Sequence, residues 1–270
     1  MKGDVFVTSY NGTKYDGEHS ISFGKLVTRN ISGTLYTDFE VEANTWNDWH
    51  LIPTSRPSIT HPNPNIVEVQ IPGSEEVIDL TQYLTGRMTY GQRSGTISFR
   101  VDNDHEDWET IRSKMVRTLH GKKLKFILDD DPGYYYEGYI TVGQWKSEEK
   151  GSSIDIGYKI NPYKMSIAEY GSTPMIWDTF CFETDYDYSV LFTDLLVNNE
   201  TKYFNVYAGD YPFSLTVVGV TGGVTVSMGG VSVTPSRGMT EYVGYSSPGL
   251  NRVIVSGTGS VKITWRNGSL

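Results

Sequence analysis

Cysteine is almost missing from the 270 residues: Cys181 stands alone. One cysteine cannot close an internal disulfide, so the fold owes nothing to an oxidising compartment. Set between Phe180 and Phe182, it reads as a buried, inert thiol, because reactivity needs an exposed, electropositive setting. Long apolar runs are missing too. None approaches the roughly 18 residues of a bilayer-spanning helix. Met1 to Tyr10 shows neither the apolar stretch nor the cleavage site of a signal peptide. Positive charge is scarce, since 23 Lys and Arg stand against 32 Asp and Glu for a formal net charge of -9. Duplex binding rests on neutralising phosphates with Lys and Arg, so this balance argues against a generic nucleic-acid binder. Together these absences predict a soluble protein, kept in the cytoplasm where it is made until assembly or lysis moves it.

Patterns that carry chemistry are equally thin. No phosphate-cradling glycine loop opens a helix after a strand. The glycines between Gly219 and Gly230 sit among strand-like residues and read as hairpin turns. The five histidines, His19, His50, His61, His105 and His120, include no pair at zinc-ligand spacing. Asp129-Asp130-Asp131 runs into Pro132-Gly133, which closes a tight turn. A solvated turn is the expectation there, because a calcium loop needs spaced oxygens and a distal glutamate. Glu183, Asp185 and Asp187 alternate and read as a charge-protected strand edge rather than a cation site. Tyr134, Tyr135 and Tyr136 cannot form one aromatic platform, since alternate strand residues face opposite ways. The expectation is no catalytic residue, no metal, no cofactor and no enzyme.

What the chain has in quantity is glycine, tyrosine and tryptophan, at 28, 19 and 6 residues. That mixture favours short strands joined by tight turns. Asn11-Gly12 is a hairpin signal. Strands are predicted at 20–23, 34–41, 66–71, 96–101, 123–128, 134–142 and 153–160. Trp46 to Pro64 holds Pro53, Pro57, Pro62 and Pro64, and is predicted to be an extended, stiffened connection. One segment reads as a helix, from about His105 to Leu119. Trp108, Ile111, Met115 and Leu119 share a face, Asp104 is the N-cap and Gly121 ends it. Asn161-Pro162-Tyr163-Lys164 marks a boundary between predicted domains 1–164 and 165–270. Beyond it come short strands at 213–218, 224–228, 231–234, 252–256 and 261–265. Their predicted separators are Gly222-Gly223, Gly229-Gly230, Pro248-Gly249 and Asn267-Gly268, the pattern of a β-sandwich.

An ordered set of motifs is more specific than any of these. Trp46-Asn47-Asp48-Trp49-His50-Leu51-Ile52-Pro53-Thr54-Ser55-Arg56-Pro57 is followed by Ile71-Pro72-Gly73 and Ile78-Asp79-Leu80-Thr81. Tyr90-Gly91-Gln92-Arg93-Ser94-Gly95 and Leu119-His120-Gly121-Lys122 come next. Asp130-Asp131-Pro132, Tyr135-Tyr136-Glu137-Gly138 and Asn161-Pro162-Tyr163-Lys164 close the run. In this order they resemble the N-terminal domain of the distal tail (Dit) family of siphophages that infect Gram-positive hosts, over about residues 20–164. Trp177-Asp178-Thr179-Phe180 and the closing Trp265-Arg266-Asn267-Gly268-Ser269-Leu270 resemble the family's second domain less specifically. Where relatives often carry Gly-Arg, Tyr139 follows Gly138 here.

The resemblance implies a mainly β chain: an N-terminal β-barrel-like, ring-forming domain with one helix, then a C-terminal galectin-like β-sandwich. It implies a hexameric distal tail ring, a hub in the baseplate at the virion tail tip. Such a ring joins the tail tube protein to the tail-tip or tail-associated protein, and in some phages holds receptor-binding proteins. Trp46, Trp49, Pro53, Arg56 and Pro57 are the residues associated with that first domain. Each reads either as a ring contact or as part of the domain's own core. The alternative reading is a carbohydrate-binding module for host cell-wall sugars. It would need a concave face with an aromatic platform, and Trp177 and Trp265 lie far apart in sequence.

Overall fold

The computed structural model describes residues 9–10, 13–14, 17–31, 34–73, 75–83, 85–101, 108–148, 151–171, 195–208, 211–247 and 249–270. The chain is mainly β, with a single helix among the described residues. It divides into two compact units: Met1–Lys25 with Val41–Lys164, and Leu26–Glu40 with Met165–Leu270.

The first unit opens with β1 (Ser9–Tyr10) and β2 (Thr13–Lys14), paired antiparallel across 11–12. Next come β3 (Ile21–Ile31) and β4 (Thr34–Asn44), whose residues between Leu26 and Glu40 belong to the second unit, and β5 (Leu51–Pro53). A ribbon of β6 (Glu68–Gln70) and β7 (Val77–Asp79) follows. The chain then forms β8 (Arg93–Val101), α1 (Trp108–Leu119), β9 (Lys123–Leu128), β10 (Tyr134–Val142), β11 (Lys146–Glu148) and β12 (Gly151–Ile160). The strand order is β4-β3-β9-β10-β12-β8-β5, with β11 on β12, and the sheet curls as a half-barrel. Strict alternation makes this geometry. Ile154, Ile156, Tyr158 and Ile160 of β12 face the core, where they meet Phe99, Phe126 and Ile140.

The helical stripe is as the spacing predicts: Trp108, Ile111, Met115 and Leu119 are the buried residues of α1. Met115 and Leu119 are fully covered, and such burial stabilises by about 1.5–3 kcal/mol per side chain. The helix ends at Gly121, whose φ of 73° suits a residue without Cβ. The predicted start near His105 and the Asp104 cap lie outside the described residues.

β13 (Lys164–Ser166) leads into the second unit, where it pairs with β19 (Gly268–Ser269). Between them run β14 (Leu195–Ala208), β15 (Leu215–Met228), β16 (Val231–Val233), β17 (Thr240–Val243) and β18 (Gly249–Thr264). Their order is β14-β18-β15-β16, with β17 also on β15. Here the reading of short strands needs correction. Gly222-Gly223 does not separate two strands; both glycines lie inside β15. Likewise 252–256 and 261–265 are parts of the single β18.

The cause is a bend shared by neighbouring strands. Gly222 pairs with Gly259, Gly223 with Thr258 and Val224 with Gly257, while Asn198 of β14 also meets Thr258. At this level Asn199, Gly222, Gly257 and Gly259 all have positive φ, and β14 and β15 carry register shifts at Asn198/Glu200 and Gly219/Thr221. A bulge bends a strand and changes which parity faces inward. In β15 the inward residues change from Leu215 and Val217 to Val224, Val226 and Met228. Both halves therefore supply one core with Val197, Val206, Val255 and Ile263. Gly229-Gly230, by contrast, is the predicted turn, between β15 and β16.

Candidate functional site

The segment from Asn44 to Pro64 begins with a tight turn that sequence reading did not single out. The Asn44 side-chain oxygen accepts hydrogen bonds from the backbone N–H groups of Trp46 (2.8 Å) and Asn47 (2.9 Å). Its amide donates to the hydroxyls of Ser20 (3.1 Å) and Ser22 (2.9 Å), and its backbone N–H donates to Asp48 (2.7 Å). This is the N-cap arrangement that suits asparagine. His50 closes the turn at φ 48° and donates its N–H to Trp46 (2.8 Å).

The turn sets the two tryptophans in different surroundings. Trp49 is 2% exposed and packs beside Phe23 in the core of its own chain. Trp46 is half-buried, edge-on to His50 at 5.1 Å, and its ring lies where a Cβ on Gly17 would fall.

Beyond the turn the prolines follow the edge of β8. Leu51, Ile52 and Pro53 pair with Val101, Arg100 and Phe99. Further on, Thr54 donates its N–H to Ser98 (3.0 Å) and Thr60 its hydroxyl to Ser94 (3.1 Å). β5 is an edge strand, the place where proline is tolerated in a sheet. Pro53 and Pro57 are buried and Arg56 is exposed.

Arg56 Nε reaches Asp130 at 3.1 Å, and His19 Nδ1 reaches the same carboxylate at 2.7 Å. Asp129 accepts from the His19 N–H, and Asp131 pairs with Lys164 at 2.7 Å. The Asp129–Asp131 turn, expected to be simply solvated, is thus pinned by ion pairs from distant segments. Partial burial works to raise the Asp130 pKa, but the hydrogen bonds from Arg56 and His19 outweigh it and hold it below the ordinary range. The arrangement neutralises charge. Among the described residues no group of three or more His, Cys, Asp or Glu is placed to hold a metal.

The uncovered face of the first sheet holds a shallow cavity of about 490 Å³, lined by residues such as Thr96, Tyr139, Thr141 and Lys159. Its lining offers hydroxyls and one ammonium, with no carboxylate, imidazole or thiol, so no nucleophile–base pair can be drawn there. In the second unit Trp265 is 4% exposed and stacked between Tyr170 and Phe213, a core position unavailable to a sugar. Trp177, Cys181 and the Glu183–Asp187 alternation lie outside the described residues.

No family model and no curated protein sequence matches the chain. Among solved structures, it is similar to the crystal structure of the SPP1 Dit (gp 19.1) protein, described as a paradigm of the hub adsorption apparatus in phages infecting Gram-positive bacteria. The TM-score is 0.54 at 11% sequence identity, over 93% of this chain and 99% of that chain. The shared property is the fold.

Proposed function

We propose that this chain is a virion structural protein without catalytic activity: a distal tail ring, built as a hexamer, that works as an adaptor hub at the phage tail tip. It would join the tail tube protein above to the tail-tip protein and host-adsorption apparatus below, after assembly in the host cytoplasm. The observation that carries this reading is the fold likeness along nearly the whole of both chains, across both units. The motif order read from the sequence points the same way independently of the coordinates. In this reading the first domain carries the ring contact and the second is galectin-like.

A cyclic ring needs a heterologous interface, in which one patch meets a different patch on the next copy. The segment of Trp46, Trp49, Pro53, Arg56 and Pro57 fits one such patch. Trp46 and Arg56 form its accessible surface, while Trp49, Pro53 and Pro57 support it from below. Light scattering on the purified full chain tests the reading. The expected mass is six times the 30.3 kDa of one chain; a monomer at every concentration overturns it. Trp46→Ala is expected to weaken the ring and leave a folded chain. Trp49→Ala should instead cost about 3–5 kcal/mol of stability, as core tryptophans do, read as a lowered melting temperature.

A further inference from the structure

The hollow on the uncovered face of the first sheet has no part in the hub reading. Strand register fixes its plan. Tyr139 of β10 pairs with Lys159 of β12, and Lys159 pairs with Ser94 of β8. One row along, Thr141 pairs with Gly157, and Gly157 pairs with Thr96. Residues two apart on a strand share a face, so these positions form two adjacent rows on one side of the sheet. Gly157 leaves the middle of the second row empty. The Thr141 hydroxyl leans over the gap, since a Cβ on Gly157 would lie 2.5 Å from it. The floor is therefore bare backbone. The volume of about 490 Å³ falls in the range of small-molecule sites.

Its lining is uncommitted. The hydroxyls of Ser94, Thr96, Tyr139 and Thr141 and the Lys159 ammonium make no hydrogen bond or ion pair with another described residue. Tyr139 is 54% exposed and stands as an aromatic wall. The acids nearest on the same strands are already engaged. Glu137 is held by Lys123 and Lys125. Asp155 accepts from the Ser98 hydroxyl at 2.6 Å and lies 3.9 Å from Lys146. Among the described residues, Lys159 carries the only charge in the lining.

Chemistry narrows the occupant. A protein partner needs a closely packed patch of about 800 Å² on each side, and this floor is one glycine edged with hydroxyls. A nucleic acid needs several cations for its phosphates, and the lining holds one. A saccharide has a C–H face that an aromatic ring can cover. Its hydroxyls both donate and accept, as those of serine and threonine do. The ammonium adds a preference for an acidic substituent, because a charge-assisted hydrogen bond is about twice as strong as a neutral one.

We propose that this hollow is a binding site for an acidic saccharide. One sugar ring lies against Tyr139 over the bare backbone of Gly157. Its hydroxyls exchange hydrogen bonds with Ser94, Thr96 and Thr141, and its carboxylate or phosphate meets Lys159. One copy of the chain supplies the whole site, so it stands apart from the ring reading.

Saturation-transfer NMR titrations on the full chain test this, with a thermal melt of each variant. The probes are glucuronate, glucose 6-phosphate and glucose. At least one acidic sugar is expected to bind about fivefold or more tightly than glucose, and the tighter of the two tells carboxylate from phosphate. Tyr139→Ala should weaken every sugar by about tenfold. Lys159→Gln should bring the acidic sugars down to the affinity of glucose and leave glucose within about twofold. Both variants should melt with the parent. If Tyr139→Ala lowers the melt, Tyr139→Leu keeps the apolar bulk and removes the ring. No saturation transfer to any sugar overturns the site. Equal affinity for all three overturns the role of Lys159. Inorganic phosphate that displaces glucose 6-phosphate at equal affinity overturns the saccharide and leaves an anion site. Binding that survives both Tyr139 variants unchanged overturns this location. A monomer that binds keeps the site and loses the ring, and a ring that does not bind does the reverse.

Discussion

Asp130 and Glu137 contribute to how the first unit responds to acid. Glu137 sits between Lys123 at 2.7 Å and Lys125 at 3.3 Å. Burial pushes its pKa upward, but the two ammonium groups prevail and hold it below its ordinary value near 4.5. Asp130 is likewise held below 3.8, against the effect of its burial, by Arg56 and His19. A carboxylate whose pKa is depressed in the folded state contributes stability that is complete above the unfolded pKa. That contribution is lost as pH falls through the folded pKa, because the unfolded chain takes up the proton first. The parent melting temperature should therefore hold near neutral pH and fall below about pH 4.5, where unfolded carboxylates begin to protonate. Asp130→Asn/Glu137→Gln should be less stable at pH 7, by roughly 1–2 kcal/mol for lost charged hydrogen bonds, and should show a shallower acid decline. Equal acid slopes in parent and variant would remove these two groups from the account.

At the scale of the element, the bend in the second unit is the clearest case of glycine required by backbone geometry. Gly259 has φ 144° and faces Thr221 so closely that a Cβ there would meet the Thr221 carbonyl and lie 2.8 Å from Gly222 Cα. Neither backbone can yield without opening the β15–β18 ladder. Gly259→Ala should cost about 2–3 kcal/mol through this strain and clash, measured by chemical denaturation. Gly230, in the β15–β16 turn, has positive φ, but a Cβ there would meet nothing within 4 Å. Gly230→Ala should accordingly cost only about 1 kcal/mol, from φ alone. Similar losses at the two positions would count against a corner in the long strands. Arg93 shows the same dependence on surroundings. It is 3% exposed, donates Nε to the Pro162 carbonyl at 2.6 Å and lies over Tyr136, so its guanidinium has a structural setting inside the core.

For the whole molecule, the division of the chain has a consequence for truncation. Residues Leu26–Glu40 group with the second unit, and Thr37 accepts a hydrogen bond from Arg266, which also reaches the Ser166 and Ile167 carbonyls. A fragment of residues 165–270 should give an all-β circular dichroism spectrum and a cooperative melt, since its core is supplied by β14, β15, β17 and β18. Without 26–40 it should melt at a lower temperature than the same unit in the full chain. A helical spectrum, or no cooperative transition, would sink the independence of that core. Arg266 lies in the closing motif quoted for the family resemblance; its contacts within the second unit give that motif a folding role.

The sequence by itself determined whatever depends on neighbours in the chain. Short strand-like runs bounded by turn residues marked β8, β9, β10 and β12, and the stripe of Trp108, Ile111, Met115 and Leu119 marked α1, because both signals are local. Proline chemistry placed Pro53 away from the sheet centre for the same reason, and the motif order pointed to a distal-tail fold before any coordinate. Only the tertiary structure decided matters of long-range approach. The Gly222-Gly223 pair could be a turn or a bend, and the choice is made by Gly257 and Gly259, distant in sequence and paired beside them. Asn44 caps the turn of Trp46 and Asn47 through local bonds, but its amide is fixed only when Ser20 and Ser22 come within reach. The acids of Asp129–Asp131 find His19, Arg56 and Lys164 only when three distant segments meet. Trp46 and Trp49 look alike in sequence, yet one turn of backbone sends Trp49 into the core and leaves Trp46 half-exposed. The predicted strand at 66–71 carries no sign in its sequence that its apolar residues stay exposed. A strand's alternation says which residues share a face, and only the packing of the rest of the chain says whether that face is covered.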